Sequence, residues 1–174
     1  MKRILLIALA ALMALSATSC GMGASNTESA TIEIASVDDV KLDDYENTFD
    51  GLINYFKKIG YILCADNGAS NTTQVDLNAE AIGAKQGKRF KFTYEGSTVT
   101  IELYELYTGE GATSTDALEE AKKTGTLNVF DIEKFEVHFS NNNKYMMIYL
   151  DKDNDAENAS RKKSAIELFK KFDR

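Results

Sequence analysis

The sequence predicts an α+β fold: an antiparallel sheet of about four or five strands with two long helices on one face. Two observations predict it. Neighbouring segments with an apolar residue at every second position are joined by short polar turns, which is typical of β-hairpins. Segments with apolar residues at helical spacing lie before, between and after the hairpins, and they would cover the apolar face of the sheet. The predicted order is α-(α)-ββ-α-(β)ββ-α, in which parentheses mark the weakest patterns.

The N-terminal segment has the anatomy of a secretory signal peptide. Lys2 and Arg3 precede an uncharged apolar run at 4–15, and small residues at 16–19 lead to Cys20. The run is shorter than the roughly 20 residues that a membrane-spanning helix needs. We therefore expect a signal segment here and no integral membrane domain.

The run Ala17-Thr18-Ser19-Cys20 resembles the lipobox of bacterial lipoproteins. It departs from the commonest pattern, which has Leu where this chain has Ala17. The resemblance implies that 1–19 are a lipoprotein signal peptide and that Cys20 is the lipidation site. It also implies an anchor at the extracytoplasmic face of the cell membrane, because two or more acyl chains hold a protein there stably. An ordinary secretory signal cut near Ser19 is the alternative.

A flexible tether is expected to follow the cysteine. Residues 21–30 are small and polar, and ten residues of this kind reach roughly 15–20 Å. We assign 20–36 to the lipidated cysteine and the tether, and 37–174 to a single α+β domain. Such a tether would keep the domain close to the membrane without placing it in the bilayer.

A long amphipathic helix is predicted over about 38–59. Apolar residues recur there at helical spacing, acidic residues come first, and Lys57 and Lys58 come last, which matches the helix dipole. Gly60 is a suitable residue to end the helix. A polar loop is expected at 66–73, followed by a short helix over 77–84.

Two strands follow, at 89–94 and at 99–107, and the turn Glu95-Gly96-Ser97 joins them into a hairpin. A helix is predicted from Asp116 to about Lys123, ending at Gly125.

The last third of the chain repeats this order. A short strand is expected at 126–130, and 135–139 pairs with 145–150 through the turn at 141–143. The final helix is predicted over 156–172, with Asp155 as its N-cap.

Three segments of this domain are similar to small lipoproteins of unassigned function in Gram-positive anaerobes. They are Ile82-Gly83-Ala84-Lys85-Gln86-Gly87, the hairpin end Glu102-Leu103-Tyr104-Glu105-Leu106-Tyr107, and the stretch 117–125. The resemblance covers about half of the chain, and it brings no catalytic residues with it.

Composition limits the class of partner. The 174 residues are 44% hydrophobic and include no proline, so the chain can form a core and has no stiff proline-rich spacer. The formal net charge of -7 argues against nucleic acid as a partner. We expect a membrane contact through the lipid, with an envelope protein or a wall polymer as the further partner.

No catalytic set is visible in the sequence, and no cofactor is expected. His138 is predicted to be a solvated strand residue, and Cys64, left without a disulfide partner, is predicted to be a small buried residue. The chain has no nucleophile turn of the Gly-x-Ser-x-Gly type. The sequence therefore favours a non-enzymatic binding or interaction module over an enzyme.

An acidic loop offers an alternative function, a small-ligand or ion-binding accessory protein. Asp151, Asp153, Asp155 and Glu157 place oxygen ligands at alternating positions, as Ca²⁺ prefers. The match to an EF-hand loop fails at Ala156, where Gly is needed, and at Lys162, where Glu is needed. The other interpretation is a polar loop that caps the last helix.

Two surfaces remain as candidate binding regions. The five strand tyrosines would form a surface for a sugar or a peptide if several shared an uncovered sheet face; they are Tyr94, Tyr104, Tyr107, Tyr145 and Tyr149. Core packing is the other role of such tyrosines. The basic segment 161–174 could contact anionic lipids or wall polymers, or could simply complement the helix dipole.

Overall fold

The computed structural model describes residues 35–109, 112, 114–129, 133–153 and 155–174. These residues contain three α-helices and seven β-strands. In chain order they are α1 (Phe49–Lys58), β1 (Thr73–Leu77), β2 (Ala84–Tyr94), β3 (Ser97–Leu106), α2 (Asp116–Thr124), β4 (Thr126–Val129), β5 (Glu133–Glu136), β6 (His138–Phe139), β7 (Tyr145–Asp151) and α3 (Ala156–Phe172).

The predicted α+β class and the antiparallel sheet are confirmed. The main sheet has five strands in the order β1-β2-β3-β7-β6, and every neighbouring pair is antiparallel. Strands β4 and β5 form a separate two-stranded sheet. The long chain segment between β3 and β7 contains α2 and this small sheet.

The first face of the main sheet holds the larger core. Helices α1 and α3 pack there, and Phe56, Phe169 and Phe172 are fully buried against the strands. The strand residues on this face are Phe90, Phe92, Val99, Ile101, Leu103, Tyr145, Met147 and Tyr149. Their alternation along each strand is the pattern that predicted the sheet.

Among the described residues, the second face of the sheet is covered at one end. Helix α2 and the small sheet β4–β5 pack there in a second, smaller core with Tyr104, Met146 and Ile148. On the same face, Leu150 is 39% exposed towards the other end, and Val75 on the edge strand β1 is 47% exposed. The two long helices α1 and α3 thus share one face, as predicted, but the third helix, α2, lies on the opposite face.

The helix predicted over 38–59 is wrong in its first half. Two short 3-10 turns, Val37–Asp39 and Leu42–Asp44, occupy that stretch, and α1 begins only after Thr48. The Thr48 hydroxyl accepts a hydrogen bond from the Gly51 amide at 3.0 Å and caps the N-terminus of α1. The helix therefore begins at this cap, although the apolar pattern already runs through the preceding residues. The apolar stripe is still used, since Val40, Leu42 and Tyr45 pack against the core.

Other boundaries differ locally. Strand β1 lies between the expected polar loop and the expected short helix, where no element was predicted, and a 3-10 turn at Ala79–Ile82 stands in place of that helix. The segment 135–139 belongs to two strands, because β5 pairs with β4 while β6 pairs with β7. Helix α3 has the predicted bounds and the predicted Asp155 cap, and α2 ends at Gly125 as predicted.

Candidate functional site

A cavity of about 380 Å³ lies between the second face of the sheet and its cover. We call it the α2 cavity. Its floor is formed by Arg89, Glu102, Tyr104 and Ile148, from the inner strands β2, β3 and β7. Its walls are mostly apolar and come from α2, the small sheet and the turn after β1; they include Leu77, Ile82, Ala117, Leu127 and Phe135. Ligand sites of small molecules are usually concave, mostly apolar and furnished with a few polar groups.

Hairpin register brings the polar floor together. The β2–β3 turn places Glu95 and Gly96 at its centre, and both have positive φ, 44° and 80°. Tyr94 therefore pairs with Ser97, and counting back along the ladder sets Arg89 directly opposite Glu102. Tyr104 lies two residues beyond Glu102 on the same strand and thus on the same face.

The three side chains form one hydrogen-bonded cluster. Arg89 Nε and Nη2 contact Glu102 Oε1 at 2.7 and 2.6 Å, and Tyr104 Oη donates to Glu102 Oε2 at 2.5 Å. The Glu102 side chain is only 9% exposed. Burial raises the pKa of Tyr104, and the hydrogen bond to Glu102 raises it further, so the phenol stays protonated and remains a donor.

Gly87 makes room for the Tyr104 ring. Gly87 pairs with Tyr104 across the hairpin, and a Cβ at this glycine would lie 2.6 Å from Tyr104 Cδ1. The absence of a side chain lets the ring lie over the neighbouring strand. A strand glycine opposite an aromatic residue is the sequence signal for this close approach.

The roof of the cavity is tied to the turn after β1. The Thr115 hydroxyl donates to the Ile82 carbonyl at 2.9 Å and accepts the Leu118 amide at 3.3 Å. One threonine therefore caps α2 and fixes its first turn beside the 3-10 turn at Ala79–Ile82. The cap was expected at Asp116, one residue later.

A larger depression of about 460 Å³ lies beside α1, next to Lys57 and Asp66. Its ion pair, at 2.6 Å, involves an Asp66 side chain that is 71% exposed. Exposed ion pairs are weakly held and poorly oriented, whereas a buried carboxylate is held in one geometry by its partners. We therefore take the α2 cavity as the better candidate site.

The acidic loop predicted for calcium uses one oxygen of each aspartate in internal hydrogen bonds. Asp151 accepts hydrogen bonds from Ser97 Oγ and from the Asp153 amide, and Asp153 accepts the Asp155 amide at 3.2 Å. Asp155 accepts the Asn158 amide at 2.8 Å and caps α3. Residue 154 lies outside the described part of the chain, and within that part no three His, Cys, Asp or Glu side chains are arranged to hold a metal ion. The structure gives the calcium prediction no support.

The single histidine and the free cysteine both lie away from the α2 cavity. Cys64 is buried at 4% exposure and free, as predicted. The prediction of a solvated His138 is wrong, because its side chain is only 11% exposed. It points away from Phe135 and Phe139 as expected, but that side of the strand faces α3.

The strand tyrosines do not share an uncovered sheet face, and most of them take the other role expected for them, which is core packing. Tyr145 and Tyr149 are buried in the core under α1 and α3, and Tyr94 packs at the edge of that core. Tyr104 alone among the four strand tyrosines is on the second face, where it contributes to the cavity floor. Tyr107, which follows β3, is 38% exposed.

The basic segment at the end of the chain is partly used for internal contacts. Arg161 donates to Tyr149 Oη at 2.6 Å and to the Gly60 carbonyl at 2.7 Å, and it lies 4.1 Å from the centre of the Tyr94 ring. Lys162 pairs with Glu136 at 3.1 Å and Arg174 with Asp43 at 3.3 Å. Because these side chains are engaged in internal contacts, the segment 161–174 offers fewer free positive charges to anionic lipids or wall polymers than its sequence alone indicated.

Residues 1–34, which include Cys20, lie outside the described part, so the signal peptide, the lipidation site and most of the tether stay predictions. Within the described part no helix is long and apolar enough to cross a membrane.

The fold and the site define an α+β protein whose sheet is covered on one face by two helices. On the other face, a cavity with a polar floor and mostly apolar walls lies beneath a partial cover. Comparison with protein-family models, with curated proteins and with solved structures finds no match to this chain.

Proposed function

We propose that this protein is a lipid-anchored binding protein of the cell envelope, held at the extracytoplasmic face of the membrane through Cys20, with the α2 cavity as its ligand site. It acts without catalysis. The observation that supports it best is the Arg89–Glu102–Tyr104 cluster on the floor of a cavity with largely apolar walls.

The energetics of this cluster favour a binding role. Burying a carboxylate costs desolvation energy, and a well-packed apolar residue would often give equal or greater stability. The Glu102 carboxylate is buried while its partner Arg89 is 49% exposed, so the pair offers fixed hydrogen-bonding groups to a ligand in the open cavity. Such groups set orientation and specificity in small-molecule sites.

The placement of the usual catalytic residues supports binding over catalysis. His138 is under α3, on the first face of the sheet, and Cys64 is buried in the loop after α1. Neither residue lines the α2 cavity. Acyl transfer by a Ser–His or Cys–His pair would need one of them there.

The anchor is tested by fractionating cells that express the full chain or Cys20→Ala. We expect the parent protein in the membrane fraction and the variant in the soluble fraction, because the variant lacks the acceptor thiol. A Cys20→Ala protein that stays in the membrane fraction would contradict the anchor.

The cavity is tested with two exposed alanines. Ala81 lies on the cavity wall and Ala159 lies on α3, far from the cavity walls, so Ala81→Trp fills the site and Ala159→Trp is its matched control. Melting temperatures are measured for the full chain with and without an extract of its own cell envelope. A ligand that binds the folded state raises the melting temperature.

We expect the extract to raise the melting temperature of the parent and of Ala159→Trp but not of Ala81→Trp. Equal shifts in the two variants would place the binding elsewhere. No shift for the parent at any extract concentration would contradict the binding function itself.

A further inference from the structure

The charged groups on the floor of the α2 cavity cancel one another. Arg89 makes two contacts with a single oxygen of Glu102, so neither charge is left to attract a counter-charge. Glu133, on the β5 side, is exposed and adds one negative charge to the lining. Lys91, two residues beyond Arg89 on the same face of β2, is exposed and adds one positive charge, which offsets that of Glu133. A polyanion would therefore meet no net positive charge, and the surface suits a neutral ligand.

The lining of the α2 cavity is complementary to a ligand that has both hydroxyl groups and apolar faces. Arg89 has five N–H donors by its chemistry, and two of its nitrogens are directed to Glu102. Glu102 Oε2 accepts from Tyr104, and a carboxylate oxygen can accept a second hydrogen bond. Ile82, Phe135 and Ile148 bound the same space with apolar surface. A sugar ring has this combination, since hydroxyls line its rim and C–H groups form its faces.

The open part of the second face continues the polar surface beyond the cavity. Pairing across the sheet places Thr73, Lys91, Thr100 and Leu150 in the row next to Arg89 and Glu102. Thr93 pairs with Thr98 one row further out. We call Thr73, Thr93, Thr98 and Thr100 the threonine face. No helix or strand covers it among the described residues, and each member is exposed or half-buried.

We propose that the α2 cavity binds one sugar unit of a neutral, linear glycan and that the threonine face binds the neighbouring units. The inference rests on the binding function proposed above and names its ligand class. The cavity supplies the specific contacts, and the threonine hydroxyls supply weaker contacts along the chain.

An extended peptide fits this surface less well. Peptides that bind to sheets add a strand at an exposed edge and bond through their main chain. The floor residues of the α2 cavity belong to β2, β3 and β7, each of which has a paired strand on both sides. Their backbone groups are used within the sheet, so only side chains are offered to a ligand.

The test is isothermal titration calorimetry of the full chain with defined probes. The neutral probes are cellohexaose, maltohexaose and chitohexaose; hexagalacturonate is the charged probe, and the matching monosaccharide tests the cavity alone. Glu102→Gln removes the floor carboxylate. Glu105→Gln is its control, because Glu105 is a buried glutamate of the same strand on the opposite face. Thr100→Val removes one hydroxyl of the threonine face with little change in shape.

We expect at least one neutral hexasaccharide to bind and hexagalacturonate not to bind. Glu102→Gln should weaken binding about tenfold, since it replaces one of two buried acceptor oxygens by an NH₂ donor and removes the charge, and Glu105→Gln should not. Thr100→Val should weaken the hexasaccharide about threefold and leave the monosaccharide unchanged. If Glu102→Gln fails to fold by circular dichroism, Arg89→Gln replaces it, because the Arg89 side chain is 49% exposed.

The inference is overturned if no neutral hexasaccharide binds, if hexagalacturonate binds more tightly, or if Glu102→Gln and Glu105→Gln lose affinity equally. The two proposals fail separately. A melting shift in envelope extract that Ala81→Trp abolishes, without binding of any sugar probe, would retain the binding function and reject the glycan. Absence of that shift would reject the binding function as well.

Discussion

Single residues decide where this chain keeps its polar groups. Asp173 is 4% exposed, yet its carboxylate accepts hydrogen bonds from Ser140 Oγ at 2.8 Å and from the Asn142 and Lys144 amides at 3.1 and 3.2 Å. It thus joins the end of α3 to the β6–β7 turn. Glu102 is buried to a similar degree, but it lines an open cavity. We assign a structural role to Asp173 and a binding role to Glu102 on that difference.

At Gly87, substitution by alanine should disturb the cavity floor. The new Cβ would meet the Tyr104 ring at 2.6 Å, so the ring must move away from Glu102. We expect a loss of about 1–3 kcal/mol in the free energy of unfolding. Urea denaturation measures it. In a Tyr104→Ala background the clash partner is gone, and a cost of Gly87→Ala that remained undiminished there would contradict the steric explanation.

At His138, burial lowers the pKa of the imidazole, and Lys162 and Lys170 lower it further, while Glu136 at 3.8 Å opposes them. The folded state therefore prefers the neutral ring. This stability is present above the ordinary pKa of about 6.5 and is lost as the pH falls through the lowered folded pKa. The buried Nε2 atom of His138 has no hydrogen-bond partner among the described residues, so no hydrogen bond there stabilises the protonated ring.

We expect His138→Gln to flatten the acid side of the stability profile. The free energy of unfolding, measured in urea at pH 7.5 and at pH 5, should fall less in the variant than in the parent. Paired carboxylates such as Glu136 have lowered pKa values and lose their stabilising charge only at more acidic pH. An identical fall in both proteins would show that His138 does not cause it.

At the scale of elements, the strands, α2 and α3 were largely readable from the sequence because their apolar periods and caps agree. Thr48 and Gly51 show why the start of the first helix could not be predicted. The apolar stripe extends over the preceding residues, but the hydrogen bond between the Thr48 side chain and the Gly51 amide starts the helix only there.

The Arg89–Glu102–Tyr104 cluster could have been predicted from the sequence. A two-residue turn at Glu95-Gly96 places the apolar residues of β2 opposite those of β3 and sets Arg89 opposite Glu102. A three-residue turn at 95–97 would instead set the apolar Phe90 opposite the charged Glu102. The cover by α2 depends on distant packing and has no local signal.

The β2–β3 turn gives a prediction at this scale. Glu95 has φ 44° and Gly96 has φ 80°, and asparagine accepts the first of these positions better than glutamate. Glu95→Asn should raise the free energy of unfolding by about 0.5–1 kcal/mol. Glu95→Val should lower it, because a β-branched residue is strained at positive φ. A fall in the urea midpoint of Glu95→Asn would contradict the turn assignment.

The whole molecule separates its tasks between the two faces of one sheet. The first face builds the large core with α1 and α3, and the second face holds the α2 cavity and the threonine face. A tether of the predicted length would let the second face turn towards ligands in the envelope.

Calcium gives a test at the scale of the whole protein. One oxygen, Oδ1, of each of Asp151, Asp153 and Asp155 accepts a backbone hydrogen bond, and among the described residues no three acidic side chains are grouped to hold an ion. We expect the melting temperature of the full chain to be the same with millimolar Ca²⁺ and with a chelator. A rise with Ca²⁺ that Asp153→Asn removes would restore the ion-binding alternative.

The central claim is that the second face, and not the helical face, binds the ligand. Backbone amide shifts of the full chain, followed by nuclear magnetic resonance during titration with envelope extract, test it most directly. We predict that the largest changes map to Arg89, Glu102, Tyr104 and the threonine face. Changes centred on α3 and the α1 surface, with the second face unaffected, would contradict the account.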